Sequence, residues 1–97
     1  MTTNTILAIV TAYCHCAACC GKAGQPTASG LMPVVGRTIA GPRMVPFGAV
    51  VTIPGIGTRR VEDRASKSYD ARWDVFMKSH REAKKFGVKT MRITVVN

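Results

Sequence analysis

Three aspartates lie close together in the second half of the chain, and the sequence holds no others: Asp63, Asp70 and Asp74. Asp74 stands between Trp73 and two further apolar residues. Burial among such side chains disfavours the charged form of a carboxyl and raises its pKa, unless a partner compensates. A raised pKa is what a carboxyl needs to act as a general acid near neutral pH. The alternative for each aspartate is a turn, a cap or an ion pair with Arg64 or Arg72.

All four cysteines cluster with one of the two histidines: Cys14, His15, Cys16, Cys19 and Cys20. Four cysteines allow three disulfide pairings, although the neighbours Cys19 and Cys20 are poorly placed to bond with each other. On a strand, Cys14 and Cys16 point to one face, and a tight turn can return the other two cysteines to them. That geometry supports disulfides or structural thiols, which we favour, or a thiolate cage for zinc with an unusual spacing. A cysteine nucleophile paired with His15 is disfavoured, because adjacent strand residues face opposite ways.

The charge balance is strongly basic, with 14 Lys and Arg against 5 Asp and Glu and a formal charge of +9. The 97 residues allow one small domain over 1–97, and a hydrophobic content of 46% argues against disorder. Such a charge favours a polyanionic partner, which means nucleic acid, an anionic membrane or a bacterial wall polymer. The basic residues are scattered, whereas a nucleic-acid tail would be denser.

The amino-terminal segment is too short for a signal peptide or a membrane span. It lacks a basic n-region, and its apolar run over 6–10 is shorter than an h-region and far shorter than a bilayer. We therefore expect no transmembrane segment and no signal peptide, as in a phage-encoded, leaderless or trimmed protein.

Short β-branched segments separated by Gly and Pro predict a mainly β fold. We expect strands over 5–13, 37–40, 49–53, 59–62 and 91–96. Six or so such strands at close spacing indicate a compact barrel or sandwich.

One helix is expected over 79–86, with Ser79 as N-cap, Glu82 completing a capping box and Gly87 ending the helix. The stretch 23–33 has the composition of a loop. Its small hydroxyl residues, Thr27 and Ser29, suit turn capping or hydrogen bonds to sugar hydroxyls.

Seven short pieces in register cover nearly the whole chain. They are TAY at 11–13, TASG at 27–30, GRTIA at 36–40, VPFG at 45–48, VED at 61–63, RWDVF at 72–76, and SH, EA and FG within 79–87. With these pieces the chain resembles the 3D domain, which is named for three aspartates. That domain is related to the barrel of membrane-bound lytic transglycosylase A and to spore and stationary-phase wall-cleaving proteins. The cysteine cluster is similar to that of a subset of these domains.

The resemblance implies a mainly β fold, a six-stranded double-psi β-barrel with one short helix. It also implies a lytic transglycosylase that cleaves the β-1,4 bond between N-acetylmuramic acid and N-acetylglucosamine in peptidoglycan. Asp74 matches the aspartate that related transglycosylases use as acid and base, and Asp63 matches the second aspartate. Gly41 stands where the family has its third aspartate, and the segment after Asp63 lacks the family's Gly-rich turn. Asp70 is an extra acid that could replace the missing carboxylate.

The chemistry of a lytic transglycosylase needs one carboxyl that acts first as acid and then as base. The sugar's own C6 hydroxyl closes a 1,6-anhydro ring, so no water nucleophile is required. Asp74 is the candidate for this role, and Asp63 would orient it, raise its pKa or stabilise an oxocarbenium-like transition state. The candidates for holding sugar and stem-peptide groups are Tyr13, Thr27, Ser29 and Arg72.

The expected partner is a peptidoglycan glycan strand at the bacterial cell wall, bound by a monomer. No nucleic acid is expected as a partner, and no cofactor is expected apart from zinc at the cysteine cluster.

The alternative function is a non-catalytic, expansin-like wall-binding barrel, which Gly41 and the altered segment after Asp63 favour. In that case Asp63 and Asp74 would only hydrogen-bond sugar hydroxyls or pair with arginines. A nucleic-acid-binding barrel rests on charge alone, because the chain lacks an aromatic platform for bases.

Overall fold

The computed structural model describes residues 2–16 and 24–97. Within these ranges the chain forms six strands, one α-helix and a single 3₁₀ turn over Lys67–Tyr69. The strands are β1 (Thr3–Tyr13), β2 (Thr38–Ala40), β3 (Val50–Ile53), β4 (Gly57–Asp63), β5 (Arg72–Phe76) and β6 (Lys89–Val96), and the helix is α1 (His80–Phe86).

The six strands close into a barrel in the order β1, β5, β2, β4, β3, β6. The pairs β1–β5 and β2–β4 are parallel, and the other four pairs are antiparallel. Parallel partners need crossover connections, so the chain passes across the barrel between them instead of folding back in hairpins. The predicted mainly β fold, a six-stranded barrel with one short helix, is confirmed, and the two parallel pairs agree with a double-psi arrangement.

The barrel interior is filled by apolar side chains from all six strands. In the main core cluster, those with at most 2% of their surface exposed are Val10, Ile39, Val51, Ile53, Val61, Trp73, Val75 and Ile93. Most are β-branched, which suits a pleated, closed sheet. On β5 the strand alternation turns Trp73 and Val75 inward and leaves Asp74 on the outer face.

The five predicted strands lie within two residues of observed strands, whereas β5 was not predicted as a strand. Its five residues pair with β1 on one side and with β2 on the other. The sequence interpretation treated this segment only as the surroundings of Asp74, and the structure makes it a central strand of the site.

Helix α1 begins as its capping signals predict. The Ser79 side chain accepts a 3.1 Å hydrogen bond from the backbone N–H of Glu82, and Gly87 ends the helix with a φ of 72°. The helix packs against β1 through its buried Ala83. Across residues 2–16 and 24–97, no helix is both long enough and apolar enough to cross a bilayer.

Candidate active site

Asp63 on β4 and Asp74 on β5 lie at the same edge of the barrel, on either side of β2. Ala40 is the Cα partner of Asp63 in one ladder and of Asp74 in the other. Adjacent strands are about 4.8 Å apart, so the two aspartate backbones lie about 10 Å apart across β2.

A β-bulge decides which acid of β4 faces this edge. The register between β2 and β4 shifts between Ile39 and Ala40, so that Asp63, and not Glu62, comes opposite Ala40. Side chains alternate along a strand, and an extra residue reverses which one reaches a given face. Glu62 is instead buried, where it accepts from Thr38 at 2.8 Å and pairs with Arg37 at 2.8 Å.

Asp74 is half-buried and accepts a hydrogen bond from the side chain of Thr11. Thr11, its register partner on β1, donates from Oγ1 to Asp74 Oδ1 at 3.0 Å. Burial raises the pKa of Asp74 to about 6; the Thr11 hydrogen bond opposes the rise, the charge of Asp63 adds to it, and Arg72 opposes it. A carboxyl with this pKa is largely protonated at mildly acidic pH, which suits a general acid.

Asp63 is held by three hydrogen bonds. Tyr13 donates its hydroxyl to Oδ2 at 2.8 Å, while the backbone N–H groups of Ala28 and Arg64 donate to Oδ1 at 2.9 and 2.8 Å. Both oxygens accept, a set of partners that an ionised carboxylate satisfies. Asp63 is therefore fixed in orientation by its own neighbour Arg64 and by two distant segments, which carry Tyr13 and Ala28.

The aromatic ring of Tyr13, whose hydroxyl donates to Asp63, is buried. Its ring packs edge-on against Phe76 with centroids 5.3 Å apart, and the two rings form a buried cluster with Ala40. The sequence interpretation placed Tyr13 among the sugar-binding candidates. In the structure it lines the cleft, and its hydroxyl is directed to Asp63.

Two adjoining cavities form a cleft over this edge. One has a volume of about 500 Å³ and is lined by both acids together with Thr11, Tyr69 and Arg72. The other, of about 410 Å³, lies under the loop that carries Gln25 to Ala28. They share the wall residues Tyr13, Asp63, Arg64, Ala65 and Ser66. Asp63 thus stands between two compartments, and Asp74 lies in the larger one.

Two cationic side chains border the cleft on aromatic supports. Arg72 lies over the Tyr69 ring at 4.5 Å, and Arg64 lies over the Phe47 ring at 4.1 Å. Arg64 also donates to the carbonyls of Val45 at 2.7 Å and Gly41 at 3.3 Å. Desolvation lowers the pKa of the Arg64 guanidinium. From the sequence, Arg64 was predicted only as a possible ion-pair partner of an aspartate, and Tyr69 was not predicted as a site residue.

Gly41 is packed too closely to carry a side chain without rearrangement. A Cβ at this position would lie 3.2 Å from Val61 Cγ1 and 3.3 Å from the Trp73 ring. Its N–H donates to the Asp63 carbonyl at 3.1 Å. A side chain at this position would therefore need Val61 and Trp73 to move by a few tenths of an ångström.

Asp70 lies in an ion pair away from Asp74. Its Oδ1 accepts from the backbone N–H and the guanidinium of Arg43, both at 2.9 Å, and both side chains are about 40% exposed. The pair joins the loop after β2 to the end of the 3₁₀ turn. Asp70 therefore has the ion-pair role that the sequence left open as an alternative for each of the three aspartates.

The hydroxyls of Thr27 and Ser29 are used inside their own loop. Thr27 donates to the Leu31 carbonyl at 2.7 Å and lies 3.0 Å from the Ser29 hydroxyl. The Ser29 N–H donates to the carbonyl of Glu62. These contacts place Ala28, whose N–H binds Asp63, and they match the turn-capping interpretation more closely than direct sugar binding.

A second group of chemically active side chains lies at the end of β1. The sulfur atoms of Cys14 and Cys16 are 2.9 Å apart, and Cys16 Sγ lies 3.9 Å from His80 Nδ1. A disulfide bond is about 2.05 Å long, so these two described cysteines are not bonded to each other. Ligand atoms of all three residues lie within 4.8 Å of one another, an arrangement that could hold a metal ion. Cys19 and Cys20 lie outside the described residues.

His80 was not predicted as part of this group. It is far from the cysteines in sequence, and only the packing of α1 on β1 brings it near them. In the sequence, His80 was noted only as part of the SH piece of the resemblance, directly after the N-cap residue Ser79.

Comparison of the chain with family models, with curated proteins and with solved structures gave no match.

Proposed function

We propose that the chain is a lytic transglycosylase that cleaves the glycan strands of peptidoglycan. The observation that carries this proposal is a half-buried Asp74, with a pKa of about 6, in a 500 Å³ cleft beside a firmly held Asp63. The seven pieces that resemble the 3D domain support the same assignment, since Asp63 and Asp74 fall on two of its three aspartates.

In the first step, the protonated carboxyl of Asp74 gives its proton to the glycosidic oxygen as the bond to the anomeric carbon breaks. The leaving sugar departs with a free hydroxyl, and positive charge develops at the anomeric carbon. Asp63 lies across β2 from this centre, and its carboxylate stabilises the developing charge through space.

In the second step, the C6 hydroxyl of the muramic acid residue attacks its own anomeric carbon. Asp74, now a carboxylate, takes the hydroxyl proton and returns to its starting state. The products are a shortened strand and a 1,6-anhydro end, and no water is consumed. One proton-transferring group is sufficient, which agrees with a cleft where Asp63 already accepts three hydrogen bonds from the protein.

The charge of the cleft walls suits an anionic glycan. Arg72 and Arg64 border the compartments, and the formal charge of the whole chain is +9. The electrostatic attraction of this positive charge speeds the encounter with an anionic polymer, and it weakens as salt is added. The cysteine cluster, whether it forms disulfides or holds zinc, takes no part in the proposed cleavage step.

The second candidate is a wall-binding barrel without turnover. It is favoured by Gly41, which leaves the site with two of the family's three acids. Under this proposal the same cleft binds glycan, and Asp74 accepts or donates hydrogen bonds to sugar hydroxyls without proton transfer to the glycosidic bond.

The two candidates separate in one digestion experiment. Purified peptidoglycan is incubated with the parent protein, with Asp74→Asn and with Asp70→Asn, and the soluble products are identified by mass spectrometry. General acid–base catalysis contributes about 10²–10⁴-fold, so we expect 1,6-anhydro products from the parent and Asp70→Asn and at least ~100-fold less from Asp74→Asn.

The control variant removes an aspartate of the same stretch that lies in the exposed Arg43 ion pair. Products with reducing ends would identify a hydrolase and refute the ring-closing step. Sedimentation of the protein with walls, without products from any of the three proteins, would establish the binding barrel instead.

A further inference from the structure

Cys14, Cys16 and His80 bring together two thiols and an imidazole from two separate elements. The cysteines directly follow β1, and His80 opens α1. Cys14 is 2% exposed, whereas His80 lies at the surface. The two cysteines are spaced C-x-C, and a bend at His15 and Cys16 leaves their sulfur atoms 2.9 Å apart.

The separations resemble those of a four-coordinate metal site. With metal–sulfur bonds of about 2.3 Å and metal–nitrogen bonds of about 2.0–2.1 Å, tetrahedral ligand atoms lie roughly 3.5–3.8 Å apart. The 3.9 Å between Cys16 Sγ and His80 Nδ1 is close to this range. The 2.9 Å between the two sulfurs is shorter, and rotation of one cysteine about its Cα–Cβ bond widens it.

The backbone places these ligands without help from the metal. The β1–β5 ladder runs up to Tyr13, directly before the first ligand, and the Ser79 cap sets the start of α1. The packing of α1 on β1 then brings His80 to Cys16, from which it is separated by 64 positions in the sequence.

We infer that Cys14, Cys16 and His80 bind a divalent cation of the thiolate- and imidazole-preferring class, with Zn²⁺ as the ion. Ca²⁺ and Mg²⁺ prefer oxygen ligands and do not fit this donor set. The ion joins the end of β1 to the first turn of α1, directly beside the tyrosine that holds Asp63. The three side chains supply three of the four positions of a tetrahedral site, and their binding of the ion does not depend on the proposed glycan cleavage.

A disulfide framework is the competing explanation of the cysteines. It would need the thiols alone and no histidine. The metal site uses all three side chains, so the contribution of His80 decides between the two.

The chain offers a matched control, because its only other histidine is a close neighbour of the same cysteines. His15 lies between them in sequence, and its Nε2 is 2.6 Å from the Gln25 carbonyl. Replacing each histidine in turn therefore tests whether the ligand is His80 in particular.

The full chain is freed of metal with a chelator under reducing conditions and titrated with Zn²⁺ against a chromophoric chelator, and separately with Co²⁺. We expect one Zn²⁺ per chain and a thiolate-to-cobalt charge-transfer band. Loss of a partner of a ligand costs about 10–100-fold in affinity, so loss of a ligand in His80→Ala should cost at least that much. His15→Ala should bind as the parent does, and Cys16→Ser should weaken the charge-transfer band.

Circular dichroism establishes that each variant is folded before its affinity is compared. No Zn²⁺ binding by the reduced parent would overturn the inference. So would equal affinity of the parent and His80→Ala, or an equal loss in the two histidine variants.

Discussion

Replacing Asp74 by Asn should stabilise the folded protein at neutral pH while it abolishes glycan cleavage. The substitution keeps the shape of the side chain and an oxygen that can accept the Thr11 hydroxyl. It removes a charge whose burial is unfavourable, because the pKa of Asp74 is about 6 in the folded chain against an ordinary value of 3.8. A residue retained for chemistry at the expense of stability would show this combination.

The size and pH range of the effect follow from that difference in pKa. Between pH 3.8 and 6 the folded state binds more protons than the unfolded state, so the free energy of unfolding falls as the pH rises. At about 1.36 kcal/mol for each pH unit, the largest possible loss is about 3 kcal/mol. Solvent reaches the half-buried carboxyl, so we expect about 1–3 kcal/mol. The loss is complete above pH 6 and absent below the ordinary carboxyl pKa.

Urea denaturation of the parent and Asp74→Asn, followed by the fluorescence of Trp73 from pH 4 to 8, measures this difference. The variant should gain over the parent as the pH rises and keep a constant advantage from about pH 7. Asp70→Asn, which removes an exposed ion pair, should change the free energy of unfolding by less than about 1 kcal/mol. An Asp74→Asn variant less stable than the parent at pH 7, or a difference that does not vary with pH, would refute the reasoning.

Three further perturbations probe the cleft and the packing beneath it. If Asp74 is the general acid, the cleavage rate should be level below pH 6 and fall about tenfold per pH unit well above it; a rate that rises from pH 6 to 8 would exclude this role. Tyr13→Phe removes a hydrogen-bond donor to Asp63. It should lower kcat, and it should lower the free energy of unfolding in urea by about 0.5–1.5 kcal/mol. An unchanged kcat would show that this hydrogen bond is not needed for turnover. Gly41→Ala should cost about 1–3 kcal/mol by overpacking against Trp73, and a variant as stable as the parent would show that the ring moves aside freely.

Local signals in the sequence were sufficient for most of the scaffold. The Ser79 cap, the Glu82 position and Gly87 lie within one helix, so their meaning does not depend on the rest of the fold. The β-branched run of β1 was likewise readable by itself. The partial burial of Asp74 was predicted from its apolar neighbours, but alternation on β5 turns Trp73 to the opposite face. Asp74 instead lies in the cleft beside Thr11 and Tyr69, which come from other segments.

The pairing of distant segments could not be read in the same way. The bulge that brings Asp63 and not Glu62 opposite Ala40 depends on the register between two strands. The hydrogen bond from Tyr13 to Asp63 joins residues 50 positions apart. Such contacts follow from closure of the barrel, which no single stretch of sequence encodes.

Gly41 stands where the resemblance to the 3D domain would place a third aspartate. For the proposed enzyme, this difference bears on the type of reaction that the site can catalyse. At Gly41 the structure has the Trp73 ring against the Cα position and the Arg64 guanidinium on the carbonyl, so no carboxylate occupies that space. A hydrolase needs a second carboxylate that activates water or attacks the sugar. Asp63 already accepts three hydrogen bonds from the protein and is poorly suited to that task. Ring closure by the substrate's own hydroxyl needs only Asp74 as acid and then base. Asp63 is the other acid that lines this cavity in the described part of the chain, so the site favours the proposed transglycosylation over hydrolysis.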